Sequence, residues 1–332
     1  MNKAQALVEV ERGKFTECTH FGHAVISDDS GQILKAWGNP EEIILPRSSI
    51  KMIQALPLIL TGAAETYGLS SKELALSCAS HQGALEHTNL VAAWLEHLGL
   101  SDADLRCGPQ IPDDPLSKTS LIKTDQSPCQ WHNNCSGKHS GFLTVSKHLG
   151  AGPEYIEPDH PAQKTALEMF EMTTRSPSLG YGIDGCSAPN FAARLDHVAR
   201  SMAWFASSQD RSDSASIAAK RLIDAMRTHP NLVAGKGRAC TELMEAMDGR
   251  VAVKTGAEGF FIAIVPEKKI GIALKITDGA SRASACVLAT LLAELGVLER
   301  ANPIAQKYMK RPILNRRGIK TGCIRAVAGL HL

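Results

Sequence analysis

The residues of this sequence best suited to chemistry are Ser48 and Lys51, which follow the apolar segment EEIIL and Pro46. Proline is common in the first turn of a helix, because its missing N–H would have no partner there. Residues three apart share a helix face, so Ser48 and Lys51 can meet, whereas Ser49 faces elsewhere. A lysine can take the proton of a serine hydroxyl when burial or a nearby cation lowers the lysine pKa. The spacing therefore predicts a serine nucleophile that Lys51 activates.

A second cation for such a site is available in the tripeptide Lys-Thr-Gly at positions 254–256, which ends the segment RVAVKTG. Ser-x-x-Lys followed by Lys-Thr-Gly is the combination that serine β-lactamases and penicillin-binding proteins use. In those enzymes the Lys-Thr-Gly strand borders the site, so Lys254 is the predicted second lysine. Another Lys-Thr-Gly, at 320–322, follows the last predicted helix near the end of the chain and is set aside.

The Ser-Asp-Asn triplet of those enzymes is missing from this chain, and Ser80 is the nearest substitute for its serine. Ser80 follows the apolar run LALSCA and precedes a turn that contains Gly83. From the residues alone, Ser80 fits a helix cap as well as it fits a site residue.

Two further segments, HNNCSGKH at 132–139 and GIDGC at 182–186, are rich in small and polar residues, which is typical of loops that line a pocket. Cys135, His139 and Cys186 are residue types that bind zinc. The chain lacks a Cys-x-x-Cys pair and four-ligand spacing, which argues against a zinc finger. Taken alone, these residues favour buried structural thiols over a metal site.

The elements that must position these residues follow from the hydrophobic periodicity. Alternation in LVEVER, GHAVISD and QILKAWG predicts antiparallel strands near the start, and RVAVKTG, GFFIAIVPE and KIGIALKITD predict strands near the end. The middle has helical spacing, and a last helix is predicted from about Ser281 to Leu295, before Gly296. We predict an α+β fold in one domain, 1–332, with an antiparallel sheet from about 1–45 and 250–332 and an inserted helical subdomain at about 46–249.

The composition points to a folded protein with a small substrate. The 332 residues are 44% hydrophobic and 21% charged, and the formal net charge is only +2, without a basic run that would indicate a nucleic-acid partner. No segment approaches the roughly 20 apolar residues that span a membrane, and the first fifteen residues lack the apolar stretch of a signal peptide. Nine scattered cysteines fit a reducing compartment, so we expect a cytoplasmic protein.

Together these segments resemble the rhizobial-type L-asparaginase family, which is distinct from the bacterial enzymes that use threonine nucleophiles. The similarity covers most of the chain, in family order: PRSSIKMIQALP, SCASHQG, HNNCSGKHSGFL, GIDGCSAP, VAGKGRACT and KTGAEGFF. The two segments HNNCSGKH and GIDGCSAP are the motifs most specific to this family, and Ser-x-x-Lys is specific only together with them. The resemblance implies a fold similar to serine β-lactamases and glutaminases, a homodimer, and hydrolysis of L-asparagine to aspartate and ammonia.

The resemblance also implies roles for individual residues. Ser48 with Lys51 would form one Ser–Lys pair, and Ser80 with Lys254 would form the other. A zinc site is implied as well, made by Cys135, Lys138 and Cys186, with Asp184 close by. Lysine is an uncommon zinc ligand, since the metal must displace a proton from an amine whose ordinary pKa is near 10.

Several alternatives stay open at the level of the sequence. Arg47 or His139 would bind the α-carboxylate of the substrate, Asp184 would accept from its α-amine, and either Ser48 or Ser80 could carry the acyl group. A glutaminase on the same scaffold, a β-lactamase or D,D-peptidase, and a catalytically silent metal-binding protein are the competing functions. The missing signal peptide argues against the lactamase and the peptidase.

Overall fold

The computed structural model describes residues 3–332, and the chain divides into two compact units. The sheet unit comprises the residues up to Ser49, Ala193–Ser207 and Glu242–Leu332. The helical unit comprises Ile50–Ala192 and Ser208–Thr241.

The elements run as follows along the chain. The strands are β1 (Gln5–Arg12), β2 (Phe15–Asp28), β3 (Ile33–Trp37), β4 (Ile43–Ile44), β5 (Tyr181–Ile183), β6 (Pro189–Phe191), β7 (Ala193–Arg194), β8 (Ala252–Thr255), β9 (Phe260–Val265), β10 (Ile270–Ile276), β11 (Lys310–Leu314) and β12 (Lys320–Ala326). The helices are α1 (Lys51–Leu60), α2 (Ala63–Thr66), α3 (Ser71–Ser77), α4 (Leu85–His97), α5 (Pro115–Lys123), α6 (Ser136–His148), α7 (Pro161–Thr174), α8 (Leu195–Ala206), α9 (Ser214–Thr228), α10 (Pro230–Val233), α11 (Ala239–Ala246), α12 (Ser281–Glu294) and α13 (Pro303–Met309).

An eight-stranded antiparallel sheet, made by both ends of the chain, is the framework of the sheet unit. Its strand order is β11-β12-β1-β2-β10-β9-β8, with β3 paired to β2. All six positions of β9 are buried, which is expected of a strand covered on both faces. The helices α8 and α12 both pack on β9 and β10. The sequence prediction of an α+β fold with a sheet from both termini is therefore confirmed.

The helical unit is arranged around α1, which packs against α3, α6, α7 and α9. Its first eight residues, Lys51–Leu58, are all buried, as expected of a helix surrounded by other helices. Short ribbons complete the two units: β5 pairs with β6, and β4 pairs with β7. Within residues 3–332, no helix has the length and apolarity to cross a membrane.

One segment lies in a different unit from the one predicted. The sequence assigned α8 to the helical part at 46–249, but α8 packs on β10 and β2 and belongs to the sheet unit. Gly271 of β10 makes this contact possible, because a Cβ there would lie 2.2 Å from the Ala199 carbonyl oxygen. The periodicity of the sequence predicts which face of α8 is buried. It does not predict whether that face packs on the sheet or on other helices.

Candidate active site

The segment that carries Ser48 is held by its own backbone in the sheet unit. After β4, residues Arg47–Ile50 form one turn of 3-10 helix that leads directly into α1. The fully buried hydroxyl of Ser49 donates a 2.7 Å hydrogen bond to the Pro46 carbonyl, so its role is to close this turn. Ser48 itself is half-buried. The hydrogen bond gives Ser49 a structural role, and Ser48 stays the predicted nucleophile.

The strand with the first Lys-Thr-Gly runs beside this turn. A Cβ at Gly256 would lie 2.6 Å from the Pro46 carbonyl oxygen and 3.4 Å from the Ser49 Cβ, so only glycine allows the approach. Lys254, two residues earlier on β8, is 0% exposed, and its amine donates a 2.9 Å hydrogen bond to the Thr255 carbonyl. Lys320 of the second Lys-Thr-Gly is exposed on β12.

Arg47 opens onto a cavity of about 400 Å³ within the sheet unit. Its backbone is left-handed, with φ of 54°, which is uncommon for a residue with a side chain. The polar side chains that line the cavity with Arg47 are His23, Glu42, Glu258, Lys275 and Thr277. Burial lowers the pKa of Lys275, and the positive charge of Arg47 adds to that effect. Glu42 and Glu258 offset the charges of these two cations, so the cavity presents side chains of both signs.

Lys51 and Ser80 belong to the helical unit. Lys51 is 1% exposed, its amine donates to the Ala79 carbonyl, and its Nζ lies 3.1 Å from the Cys135 Sγ. Ser80 directly follows Ala79, is 8% exposed, and donates its backbone N–H to the Val233 carbonyl at 2.9 Å. Ser80 is therefore not a helix N-cap, because α4 begins only at Leu85, after Ala84.

Cys135, Lys138 and Cys186 meet in the interior of the helical unit, and we call them the thiol cluster. The Lys138 Nζ lies 3.1 Å from the Cys186 Sγ, and all three side chains are buried. A hydrogen bond with Cys135 and the charges of Lys138 and Lys51 lower the pKa of Cys186 well below its ordinary value. The same hydrogen bond, together with burial, raises the pKa of Cys135 to about 12. Of the two sulfurs, Cys186 is therefore the one whose thiolate form is favoured, and Cys135 is the one favoured as the thiol.

The charge of Lys138 is stabilised by this thiolate. Burial alone would lower the pKa of Lys138, but the nearby Cys186 and Cys135 outweigh burial, and the pKa is raised. Asp184 is half-buried, accepts the Gly185 N–H at 2.6 Å, and acts on the pKa of both Lys138 and Cys186. Its predicted place close to the cluster agrees with these interactions.

The donor set of the thiol cluster suits zinc by residue type, since it offers two sulfurs and one amine nitrogen. Among residues 3–332, no three His, Cys, Asp or Glu side chains form a group that could hold a metal ion. The cluster reaches three donors only with Lys138. Zinc would have to displace the protons of Cys135 and Lys138, whose pKa values are raised, whereas the lowered pKa of Cys186 favours its release of a proton.

His139 lies deeper than a substrate-binding role would require. Its ring is fully buried, and its Nδ1 is hydrogen-bonded to the Tyr155 hydroxyl at 2.9 Å. Burial, followed by the charge of Lys138, lowers the pKa of His139 well below 6.5, so the ring is neutral. A neutral ring supplies no cation for a carboxylate, and of the two sequence candidates we retain Arg47.

Two residues that lie near the candidate site residues, Asn134 and Lys275, were not predicted from the sequence. Asn134, whose Oδ1 lies 3.0 Å from the Cys135 Sγ, was inside a motif already singled out and could have been inferred from its amide. Lys275 had no sequence signal, because it is one of several charged residues on alternating strands.

The four residues of the two predicted Ser–Lys pairs are divided between the units. Ser48 and Lys254 belong to the sheet unit, and Lys51 and Ser80 belong to the helical unit. Each predicted pair therefore takes one residue from each unit, and both pairs stay predictions.

Comparison with solved structures gives matches of low sequence identity. A protein named Mglu, in its tris and glutamate form, is 12% identical with a TM-score of 0.49 over 87% of this chain. A β-lactamase from Mycobacterium bovis is 12% identical with a TM-score of 0.42, and the match covers 80% of this chain and 89% of that one. The chain spans 63% of the length of the Mglu structure. No curated protein matches the sequence.

The family comparison is more decisive, because it covers nearly the whole chain. The model of the family described as L-asparaginase II matches residues 8–326. This range includes every candidate residue, from Arg47 to Lys254. The chain therefore belongs to the L-asparaginase II family.

Proposed function

We propose that this protein is an L-asparaginase that hydrolyses L-asparagine to L-aspartate and ammonia with Ser48 as its nucleophile. The observation that carries the proposal is the close approach of Gly256 to Pro46, which lays the Lys-Thr-Gly strand along the turn that holds Ser48. A serine in a helical turn beside such a strand is the arrangement expected of a Ser-x-x-Lys hydrolase.

In the proposed mechanism, Lys51 takes the proton of Ser48 as the serine oxygen attacks the side-chain amide carbon of the substrate. Lys51 then gives this proton to the amide nitrogen, the carbon–nitrogen bond breaks, and the nitrogen leaves as ammonia. Backbone N–H groups at the Ser48 turn would stabilise the oxyanion, a contribution of about 3 to 4 kcal/mol per donor. Water then hydrolyses the aspartyl ester and regenerates the serine.

Two charged side chains, Arg47 of the sheet unit and Asp184 of the helical unit, are the proposed substrate-binding groups. Arg47 would bind the α-carboxylate, since a guanidinium can donate two parallel hydrogen bonds to it. Asp184 keeps its proposed role as the acceptor for the α-amine. Asparagine and glutamine present the same α-groups, so the length of the side chain decides between them.

Zinc is the proposed cofactor, held by Cys135, Lys138 and Cys186. When bound, the ion would supply a positive charge that orients the substrate. The buried thiolate of Cys186 favours this proposal, because a preformed anion lowers the number of protons that the metal must displace.

The test of the activity is ammonia release from asparagine and from glutamine by the wild-type protein, Ser48→Ala and Ser49→Ala. We expect Ser48→Ala to lose at least about a thousandfold in kcat/KM, while Ser49→Ala keeps most of it because its hydroxyl only closes the turn. Faster release from glutamine would make the protein a glutaminase. Mass spectrometry of an acylated peptide containing Ser80 instead of Ser48 would overturn the nucleophile assignment.

The zinc proposal is tested by metal content rather than by activity. We expect about one zinc per chain in the wild type, and a marked loss in Cys186→Ser. The matched control is Cys286→Ser, which alters another buried cysteine that lies on α12, outside the thiol cluster. Equal zinc content in both variants would contradict the proposed ligands.

A further inference from the structure

We propose that a second cavity of the sheet unit binds a small molecule through its carboxylate or phosphate group. The cavity has a volume of about 450 Å³. Its polar lining consists of Arg12, Glu17, Cys18, Arg282 and Arg311, and its floor is apolar. None of these residues belongs to the proposed asparaginase site, so the inference goes beyond the proposed function.

The strand register builds the floor of this cavity. Cys18 of β2 is paired with Val10 of β1, Val10 with Ile324 of β12, and Ile324 with Arg311 of β11. Residues that are directly paired across antiparallel strands carry their side chains on the same face of the sheet. Cys18 and Arg311 therefore stand at opposite ends of one row, with apolar side chains between them.

A buried histidine fixes Arg282 at the edge of the cavity. The His20 Nε2 lies 3.1 Å from the Arg282 Nε, and the His20 Nδ1 lies 2.6 Å from the Asp278 Oδ2. A guanidinium can only donate, so the His20 Nε2 accepts, and the Nδ1 carries the proton that is donated to Asp278. This leaves the terminal nitrogens of Arg282 for the cavity, where one lies 3.5 Å from the Cys18 Sγ.

The charges of the cavity do not cancel. Arg12 is paired with Glu17, with its Nε 3.0 Å from both carboxylate oxygens. Within residues 3–332, Arg282 and Arg311 have no carboxylate within ion-pair distance. Three arginines and one glutamate give an excess of two positive charges, which is as large as the net charge of the whole chain. Arginine binds carboxylate and phosphate oxygens in a bidentate manner, so an oxyanion is the ligand that this cavity fits.

Calorimetry of the full-length protein at low ionic strength, with inorganic phosphate and with succinate as separate probes, tests the proposal. We expect saturable binding of about one probe per chain, and the tighter probe identifies the preferred group. The double variant Arg282→Gln, Arg311→Gln should bind at least about tenfold more weakly. Arg317→Gln, an exposed arginine on the β11–β12 turn, is the matched control and should bind as the wild type does. Absence of saturable binding, or equal binding in the double variant, overturns the proposal.

Cys18 gives a second, local measurement. Its alkylation by iodoacetamide, followed by peptide mass spectrometry, should slow when the probe is bound, because the thiol lines the same cavity. Cys129, another half-buried cysteine, lies in the helical unit and is the internal reference. If the bound probe slows Cys18 no more than Cys129, the anion binds elsewhere and the assignment of this cavity is wrong.

Discussion

Each unit of the molecule buries one lysine of the proposed chemistry, in very different surroundings. Lys51 of the helical unit contacts a carbonyl and a thiol, next to a cluster in which the charge of Lys138 is balanced by a thiolate. Lys254 of the sheet unit lies on β8, where the two preceding residues, Ala252 and Val253, are apolar and fully buried. Lys51 thus lies beside a cluster of side-chain sulfur and amine groups, whereas Lys254 extends from a strand whose preceding residues are apolar.

The largest expected effect is the loss of activity on replacing either lysine, and zinc content should distinguish the two variants. Both Lys51→Ala and Lys254→Ala should lower kcat/KM for ammonia release by about 10² to 10⁴, because the first removes the proposed base and the second removes the proposed second cation of the site. Only Lys51→Ala should also reduce zinc content, since Lys51 contacts Cys135. Lys320→Ala, in the second Lys-Thr-Gly, is the control and should change neither. A Lys254→Ala variant that retains full activity would remove the sheet unit's lysine from the mechanism.

The same comparison explains what the sequence could predict. The strands near the start of the chain alternate apolar and polar residues, and those near the end are short apolar runs bounded by turn residues. Both patterns can be recognised in the sequence, so the sheet from both termini was predictable. The packing of α8 on the sheet could not be predicted. It depends on the close contact of Gly271 with Ala199, two residues that are far apart in the sequence.

For the candidate site as well, some residues could be predicted from the sequence and others could not. Residues within short motifs, such as Ser48 with Lys51 and Cys135 with Lys138, could be proposed from spacing and family resemblance. Lys275 could not, because its approach to Arg47 arises only when β10 is placed in the sheet. The homodimer and the cytoplasmic location stay predictions.

The next effect tests how packing supports each unit. A Cβ at Gly271 would lie 2.2 Å from the Ala199 carbonyl oxygen, and a Cβ at Gly137 of α6 would lie 2.3 Å from the Leu76 carbonyl oxygen. Neither backbone oxygen can yield easily, so Gly271→Ala and Gly137→Ala should each lower the free energy of unfolding by about 1 to 3 kcal/mol, as measured in urea.

The two glycine variants should differ in a second measurement. Gly137 lies between Cys135 and Lys138, so Gly137→Ala should also reduce zinc content, whereas Gly271→Ala should leave zinc content unchanged. Gly152→Ala, where the new Cβ would meet nothing within 4 Å, is the matched control. If Gly271→Ala releases zinc as readily as Gly137→Ala does, the thiol cluster does not depend on the helical unit alone.

The smallest effect concerns acid, and it follows from two histidines buried in the helical unit. The rings of His81 and His87 are stacked with centroids 4.9 Å apart. Burial lowers the pKa of both below 6.5, and for His81 the neighbouring His87 lowers it further. Below about pH 6.5 the unfolded chain therefore binds more protons than the folded one, and the free energy of unfolding falls as the pH decreases. The slope is at most about 1.4 kcal/mol per pH unit for each histidine.

Urea unfolding at pH 7, 6 and 5 measures this slope, and His87→Gln should make it shallower because one buried titrating ring is removed. The His87 Nε2–H donates to the Asn231 carbonyl at 3.0 Å, a bond that the glutamine amide can replace, so the variant should still fold. His331→Gln, which alters an exposed histidine, should leave the slope unchanged. An unchanged slope in His87→Gln would mean that the acid sensitivity does not come from this pair, and the polar network of the helical unit would then be less sensitive to protonation than its burial implies.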